Sequence, residues 1–204
     1  MKIDPVNLTV RERLIFMGSV VVPRPIAWIT SVGSSGVVNL APYSLFNIIS
    51  YEPVPMIFVS PHRNDYGKQV RIKDTLRNIE ETKEFVVNMV TEETAEAMNI
   101  SAGPYPPEVS EVTLTGLTTV PSDIVQPPRI AESPVNLECR VAQIMNFGED
   151  ISAVSMVLAE ILRVHVRDEL YSNGMVDVSA LHVIARMGYN KYTRTRDIFE
   201  MKAP

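Results

Sequence analysis

Between residues 26 and 40 apolar and polar positions repeat with a period of two. Ile26, Trp28 and Thr30 fall on one face and Ala27, Ile29 and Ser31 on the other, and Val37, Val38 and Leu40 resume the run after Gly33-Ser34-Ser35-Gly36. This pattern predicts a β-hairpin that turns at the glycines, which permit positive φ. Residues 54–60 form a short apolar run between proline signals and predict another strand. The period then changes. Leu76 and Ile79 share one helical face as far as about Thr82, with Asp74 or Thr75 as the expected cap, and residues 84–90 return to a strand. Thr91 is expected to cap a further helix carrying Glu92 and Glu93 in its first turn. Residues 103–129 read as loop, with room for a short strand within 112–120. Residues 135–148 and 151–167 alternate again around Gly148-Glu149-Asp150 and predict a hairpin of two long strands.

Fifteen prolines sharpen this outline, gathered around positions 23–25, 53–55, 104–107 and 127–128. Proline lacks an amide donor and fixes φ, so such clusters mark strand ends, edges and ordered loops. Five or six strands, two short helices and no βαβ alternation predict a mainly β chain. Its expected form is a closed or half-open antiparallel barrel with short helices at its flank. A length of 204 residues suits one domain, with a C-terminal extension over about 185–204 that starts basic and ends in an extended or turn segment.

Composition narrows the function classes. Nineteen Lys and Arg against 24 Asp and Glu give a formal net charge of −5, which argues against a nucleic-acid partner. An anionic ligand would therefore need a local cationic cluster. The single cysteine, Cys139, excludes an intramolecular disulfide and a cysteine-based metal cluster. No charged leader with an apolar core and no apolar run near ~18 residues is visible, so the chain is expected to be soluble, cytoplasmic and free of the membrane.

Lys73-Asp74-Thr75 stands at the expected helix start. It reads either as an N-cap with a solvated lysine or as an anion site, because a helix start offers free amides and a partial positive charge, to which Lys73 adds a full one. In the anion reading Thr75 donates its hydroxyl and Asp74 serves as the cap. Asn39, Ser44 and Asn47 interrupt an apolar segment around Pro42. They read either as turn chemistry or as the edge donors of a planar-ligand wall with Ala41, Leu45 and Phe46. His62, His165 and His182 are scattered and read as surface or loop residues rather than metal ligands. No GxGxxG or P-loop is present. Trp28 reads as core.

Four stretches carry a resemblance: Pro-Arg-Pro-Ile-Ala-Trp-Ile-Thr-Ser (23–31), Asn-Leu-Ala-Pro-Tyr-Ser-Leu-Phe-Asn (39–47), Pro-Met-Ile-Phe-Val-Ser (55–60) and the segment 73–88 that opens on Lys-Asp-Thr. In this order and spacing they resemble the flavin reductase-like family, the FMN-binding split-barrel proteins. Residues 133–144 and 185–194 resemble the family's later segments more loosely. The resemblance implies a split β-barrel, a homodimer, and FMN held non-covalently near the subunit interface. Carried over by position, Thr30, Ser31, Asn39, Ala41, Ser44 and Phe46 would line the flavin, Ser60 would close the strand that follows, and Lys73, Asp74 and Thr75 would meet its phosphate. No side chain need act as acid or base for hydride transfer, so no catalytic residue is assigned. The expected activity is an NADH- or NADPH-dependent flavin reductase that passes electrons to a monooxygenase or another acceptor. The alternatives are an FMN-binding electron-transfer protein without nicotinamide turnover and a split-barrel binding module without flavin.

Overall fold

In the computed structural model, which describes residues 1–61, 72–148 and 153–202, the first hairpin is realised as β1 (Ala27–Val32) and β2 (Val38–Tyr43). Gly36 takes φ +75° in the turn and its amide bonds to the Gly33 carbonyl. The chain continues directly into β3 (Phe46–Ser50), then β4 (Met56–Val59) and β5 (Glu84–Met89). Two short strands follow, β6 (Thr119–Val120) and β7 (Arg129–Ile130), and then the long pair β8 (Val135–Phe147) and β9 (Val154–Val166). The expected long hairpin is therefore present, although Glu149 and Asp150 of its turn, like His62, lie outside the described residues. Two bonded pairs complete the set: β10 (Tyr171–Ser172) with β11 (Met175–Val176), and β12 (Ile184–Gly188) with β13 (Lys191–Arg194).

Seven strands, rather than the five or six expected, form one antiparallel sheet in the order β2-β1-β5-β8-β9-β4-β3. Its two edges, β2 and β3, are consecutive in the chain, separated only by Ser44 and Leu45. A sheet whose edges are joined so closely must curl. Every strand but β2 sends a fully buried side chain into one interior: Ala27 and Ile29, Phe46, Ile57 and Val59, Phe85 and Val87, Cys139, Val157 and Ala159, while Tyr43 of β2 packs against them. Burying each large side chain here contributes about 1.5–3 kcal/mol.

The helix α2 (Asp74–Thr82) plugs this interior with Leu76 and Ile79, the face read from the spacing. Its N-cap is Lys73, with no side-chain hydrogen bond, rather than Asp74 or Thr75. Four α-helices occur among the described residues, not two. The first, α1 (Val10–Val20), was not expected. It buries none of its residues, so it shows no apolar stripe, but a capping box starts it: the Glu12 amide bonds Thr9 Oγ1 at 3.3 Å and the Thr9 amide bonds Glu12 Oε2 at 2.9 Å. The next, α3 (Ala95–Ile100), begins after Thr94 rather than at Thr91, because the Thr94 hydroxyl accepts the Thr91 amide at 3.0 Å and holds residues 91–94 as a turn. The last, α4 (Glu111–Thr115), occupies residues whose β-branched composition suggests a strand, and the strand in that stretch shrinks to β6. Tertiary anchors decide it: Ser110 Oγ donates to the Val38 carbonyl at 2.6 Å and Glu111 Oε2 accepts the Leu40 amide at 2.9 Å. A second core of Ile26, Trp28, Leu40, Val90, Met98, Val112, Ile130 and Ile184 forms on the outer face of β1 and β2. Trp28 is core as read, its indole donating to Ser101 Oγ at 2.8 Å. No described helix is long and apolar enough to cross a membrane.

Candidate functional site

The mouth of α2 brings two separate sequence motifs together. Asn39, Ala41, Lys73, Asp74 and Thr75 line one small pocket of about 80 Å³ with Tyr43, Tyr105 and Glu111. The opening turn of a helix leaves its first amides without intrahelical partners, and Lys73 supplies no side-chain cap. Asn39 Nδ2 donates to Thr75 Oγ1 at 2.7 Å. The Thr75 hydroxyl therefore acts as acceptor there and keeps its own proton to donate. Asp74 is held by Arg77 at 2.6 Å one turn further on, a cation that partly offsets its repulsion toward an anion. Glu111 was not foreseen. Burial pushes its carboxyl above the usual range, and Asp74 pushes in the same direction, against the lowering effect of the Leu40 amide.

The other residues carried over by resemblance lie elsewhere. Ser44 lies outside this pocket and lines a larger cavity of about 1130 Å³ across Pro42 and Tyr43, which border both. Ser31 accepts from Asn78 Nδ2 at 3.2 Å, on the flank that faces α2. Thr30 faces the opposite side of β1 and donates to the Pro128 carbonyl at 2.5 Å. Phe46 is buried in the barrel interior. Ser60 is nearly buried after β4, its amide bonded to the Leu45 carbonyl at 2.9 Å.

The larger cavity is walled by α1, the corner at 42–45, part of α3 and the β12–β13 hairpin. Arg13, Arg24 and Arg186 line it, and among the described residues no Asp or Glu does. The wall is assembled from segments far apart in the chain, 10–26, 42–45, 98–102 and 186–192, so the periodicity of the sequence carries no signal for it. Gly188 shows how closely the hairpin rests on α1: it takes φ +116°, and a Cβ there would meet the Gly18 carbonyl oxygen at 2.9 Å.

A third cluster is structural. His165 is a strand residue on β9, largely covered, not a loop residue, and its Nε2 lies 2.6 Å from Glu138 Oε1. His182 is exposed in a loop, as read. Glu138 is fully buried. Burial alone would raise its pKa, but the amides of Asp123, Ile124 and Val125 together with His165 outweigh that and hold it down at about 2. Asp123, Glu138 and His165 could in principle gather a metal. Both Glu138 oxygens are already engaged, and Asp123 pairs with Arg163 at 2.6 Å, so the cluster ties the 121–128 loop to the barrel. Burial pushes the Cys139 thiol far up, which leaves it inert.

Comparison with known proteins gives this geometry a family. The model of the flavin reductase like domain matches residues 17–183. An uncharacterised protein of Halalkalibacterium halodurans is 38% identical over 206 residues, covering 100% of this chain and 97% of that protein. The nitrilotriacetate monooxygenase component B of Bacillus cereus superposes with a TM-score of 0.91 at 33% identity, covering 98% of each chain. The 2-nitrobenzoate 2-nitroreductase of Pseudomonas fluorescens does so with 0.89 at 33% identity, over 100% of this chain and 96% of that one. A flavin reductase with a split barrel domain from Shewanella frigidimarina shares the fold at 21% identity, with a TM-score of 0.83 over 98% of this chain and 96% of that one. The curled seven-stranded sheet is thus a split barrel, and the chain belongs to the flavin reductase-like family.

Proposed function

We propose that the protein is an FMN-dependent oxidoreductase, a flavin reductase that takes hydride from NADH or NADPH and hands electrons to a flavin or another acceptor, such as a monooxygenase. The observation that carries the FMN reading is the mouth of α2, where Lys73, the opening turn of the helix and the Thr75 hydroxyl border one small pocket. These groups suit a phosphate oxyanion, which a helix N-terminus and a charge-assisted donor stabilise together. Glu111 opposes an anion only while ionised, and its burial favours the neutral acid. When bound, the flavin supplies the redox chemistry, and the protein supplies position and electrostatics. Asn39 fixes the Thr75 rotamer, Arg77 draws Asp74 away from the anion, and Ser44 offers a hydroxyl on the far side of the Pro42–Tyr43 corner.

We also place the chain as a single domain working as a cytoplasmic homodimer. The edge strand β3 exposes Ile48 and Ile49, and Leu45, Tyr51 and Val54 beside it are exposed as well. An apolar edge of this kind is the surface a second copy would cover. The test of the activity is the visible spectrum of the purified protein supplied with FMN, followed anaerobically as NADH or NADPH is added. Bleaching of the flavin bands on mixing is expected. A protein that binds FMN but does not bleach is an electron carrier, and one that binds no flavin is a split-barrel module of another kind.

A further inference from the structure

Arg24 and Arg186 stand directly opposite each other in an isolated antiparallel bridge. The Arg24 amide bonds the Arg186 carbonyl at 3.0 Å and the Arg186 amide bonds the Arg24 carbonyl at 2.9 Å. Directly opposed residues project to the same face, and like charges there repel. Neither arginine, nor Arg13 on the same wall, pairs with a carboxylate among the described residues. Arg24 spends Nη1 on the Gly18 and Val21 carbonyls, at 2.6 Å each, and its Nε is buried without a partner. Arg186 lies 4.6 Å from the Tyr192 ring centroid and bonds the Tyr192 hydroxyl through Nη1, which leaves Nε and Nη2 without partners among the described residues. The pKa of Arg24 is lowered first by burial and then by Arg186, so bringing the two together carries a cost.

A cationic wall is unexpected in a chain of net charge −5, and its surroundings are mainly apolar or aromatic, Leu14, Met17, Ile26, Leu45, Tyr189 and Tyr192 among them, with Ser44, Asn99 and Asn190 as neutral polar groups. Such a cavity orients a ligand by a few polar groups and holds it by apolar area. We propose that this cavity binds a planar aromatic ligand through an oxyanion, carboxylate or phosphate, held by Arg24 and Arg186. Two guanidiniums side by side offer the paired donors that such an oxyanion accepts. The site stands on the cavity alone. If the flavin reading also holds, the ligand lies across Pro42 and Tyr43 from the phosphate pocket and becomes its hydride donor or electron acceptor.

Two sources share this chemistry, a nicotinamide dinucleotide and an aromatic acid, and calorimetry separates them. NADH, 2-nitrobenzoate and the uncharged nicotinamide and nitrobenzene are titrated into the wild type, with and without FMN, and into Arg186→Gln, Arg186→Lys and Arg24→Gln. The wild type is expected to bind NADH or 2-nitrobenzoate, and the arm that responds names the source. Arg186→Gln should weaken that ligand about tenfold or more, with Arg186→Lys intermediate. FMN and the uncharged probes should change by less than about twofold, since neither meets the paired donors. Arg24 also holds the end of α1, so Arg186, whose side chain meets only Tyr192 among the described residues, carries the test. The proposal is overturned if neither charged probe binds at millimolar concentration, if Arg186→Gln leaves the affinity unchanged, or if that variant loses FMN instead. Failure of FMN to bind at all would sink the flavin reading while leaving this one intact.

Discussion

Glu138 and the Arg24–Arg186 pair are both charges drawn into a hydrogen-bonded sheet, and they are treated in opposite ways. Glu138 loses all contact with water and receives three backbone amides and a histidine in return. The arginines are placed face to face, with no carboxylate partner among the described residues and with donors left over. Removing a charge from water is costly unless the protein replaces what water gave. Where the chain itself supplies every partner, the charge is part of the scaffold. Where it withholds them beside an open cavity, the missing partner belongs to a ligand. Glu111 falls between the two, buried and accepting the Leu40 amide.

The largest expected effect is at Glu138. Its pKa falls from 4.5 to about 2, so Glu138→Gln should cost about 3 kcal/mol at pH 7. A depressed carboxylate stabilises the fold above its unfolded value and loses that contribution as pH falls. Wild-type denaturant midpoints should therefore decline between about pH 4.5 and 2, and the variant should lack that decline. An unchanged midpoint at pH 7 would show that the 121–128 loop does not depend on this carboxylate.

A smaller change of opposite sign is expected at Glu111. Its pKa is raised, so its favourable contribution is present at low pH and is lost as pH rises through the raised value. Glu111→Gln keeps an acceptor for the Leu40 amide and removes the ionisation, and it should flatten that part of the pH–stability curve. A wild-type curve with no such slope would place Glu111 with the satisfied charges.

The smallest effect should come from Arg186→Gln without ligand. Losing contact with Tyr192 is offset by relief of repulsion from Arg24, and the unfolding free energy should move by less than about 1 kcal/mol. A large loss of stability would make the pair a structural element like Glu138.

What the sequence reveals follows the same division between local and distant partners. The β1–β2 and β8–β9 hairpins are plain in the alternation of apolar residues, because one face of each is core, and so is the inner face of α2. The helix α1 escapes the pattern because it buries nothing, although Thr9 and Glu12 spell out its cap. The helix α4 misleads because Val112, Thr113 and Thr115 favour strands, and only its anchors on β2 reverse that preference. For the small pocket at the mouth of α2, two contiguous motifs carry Asn39, Ala41 and residues 73–75, and the fold brings them together. Thr30 and Ser31 are neighbours in sequence, but a strand sends them to opposite faces. The Arg24–Arg186 bridge joins the two ends of the chain and leaves no periodicity to read.

The central claim, that the mouth of α2 holds the phosphate of FMN, is tested most directly by comparing FMN with riboflavin on the wild type and Lys73→Ala. The two flavins share the ring and differ in the phosphate dianion. Fluorescence titration should show Lys73→Ala weakening FMN by about 1.5–3 kcal/mol, roughly ten- to a hundredfold, while riboflavin binding stays as in the wild type. Equal losses for both flavins, or none for either, would contradict a phosphate site at Lys73.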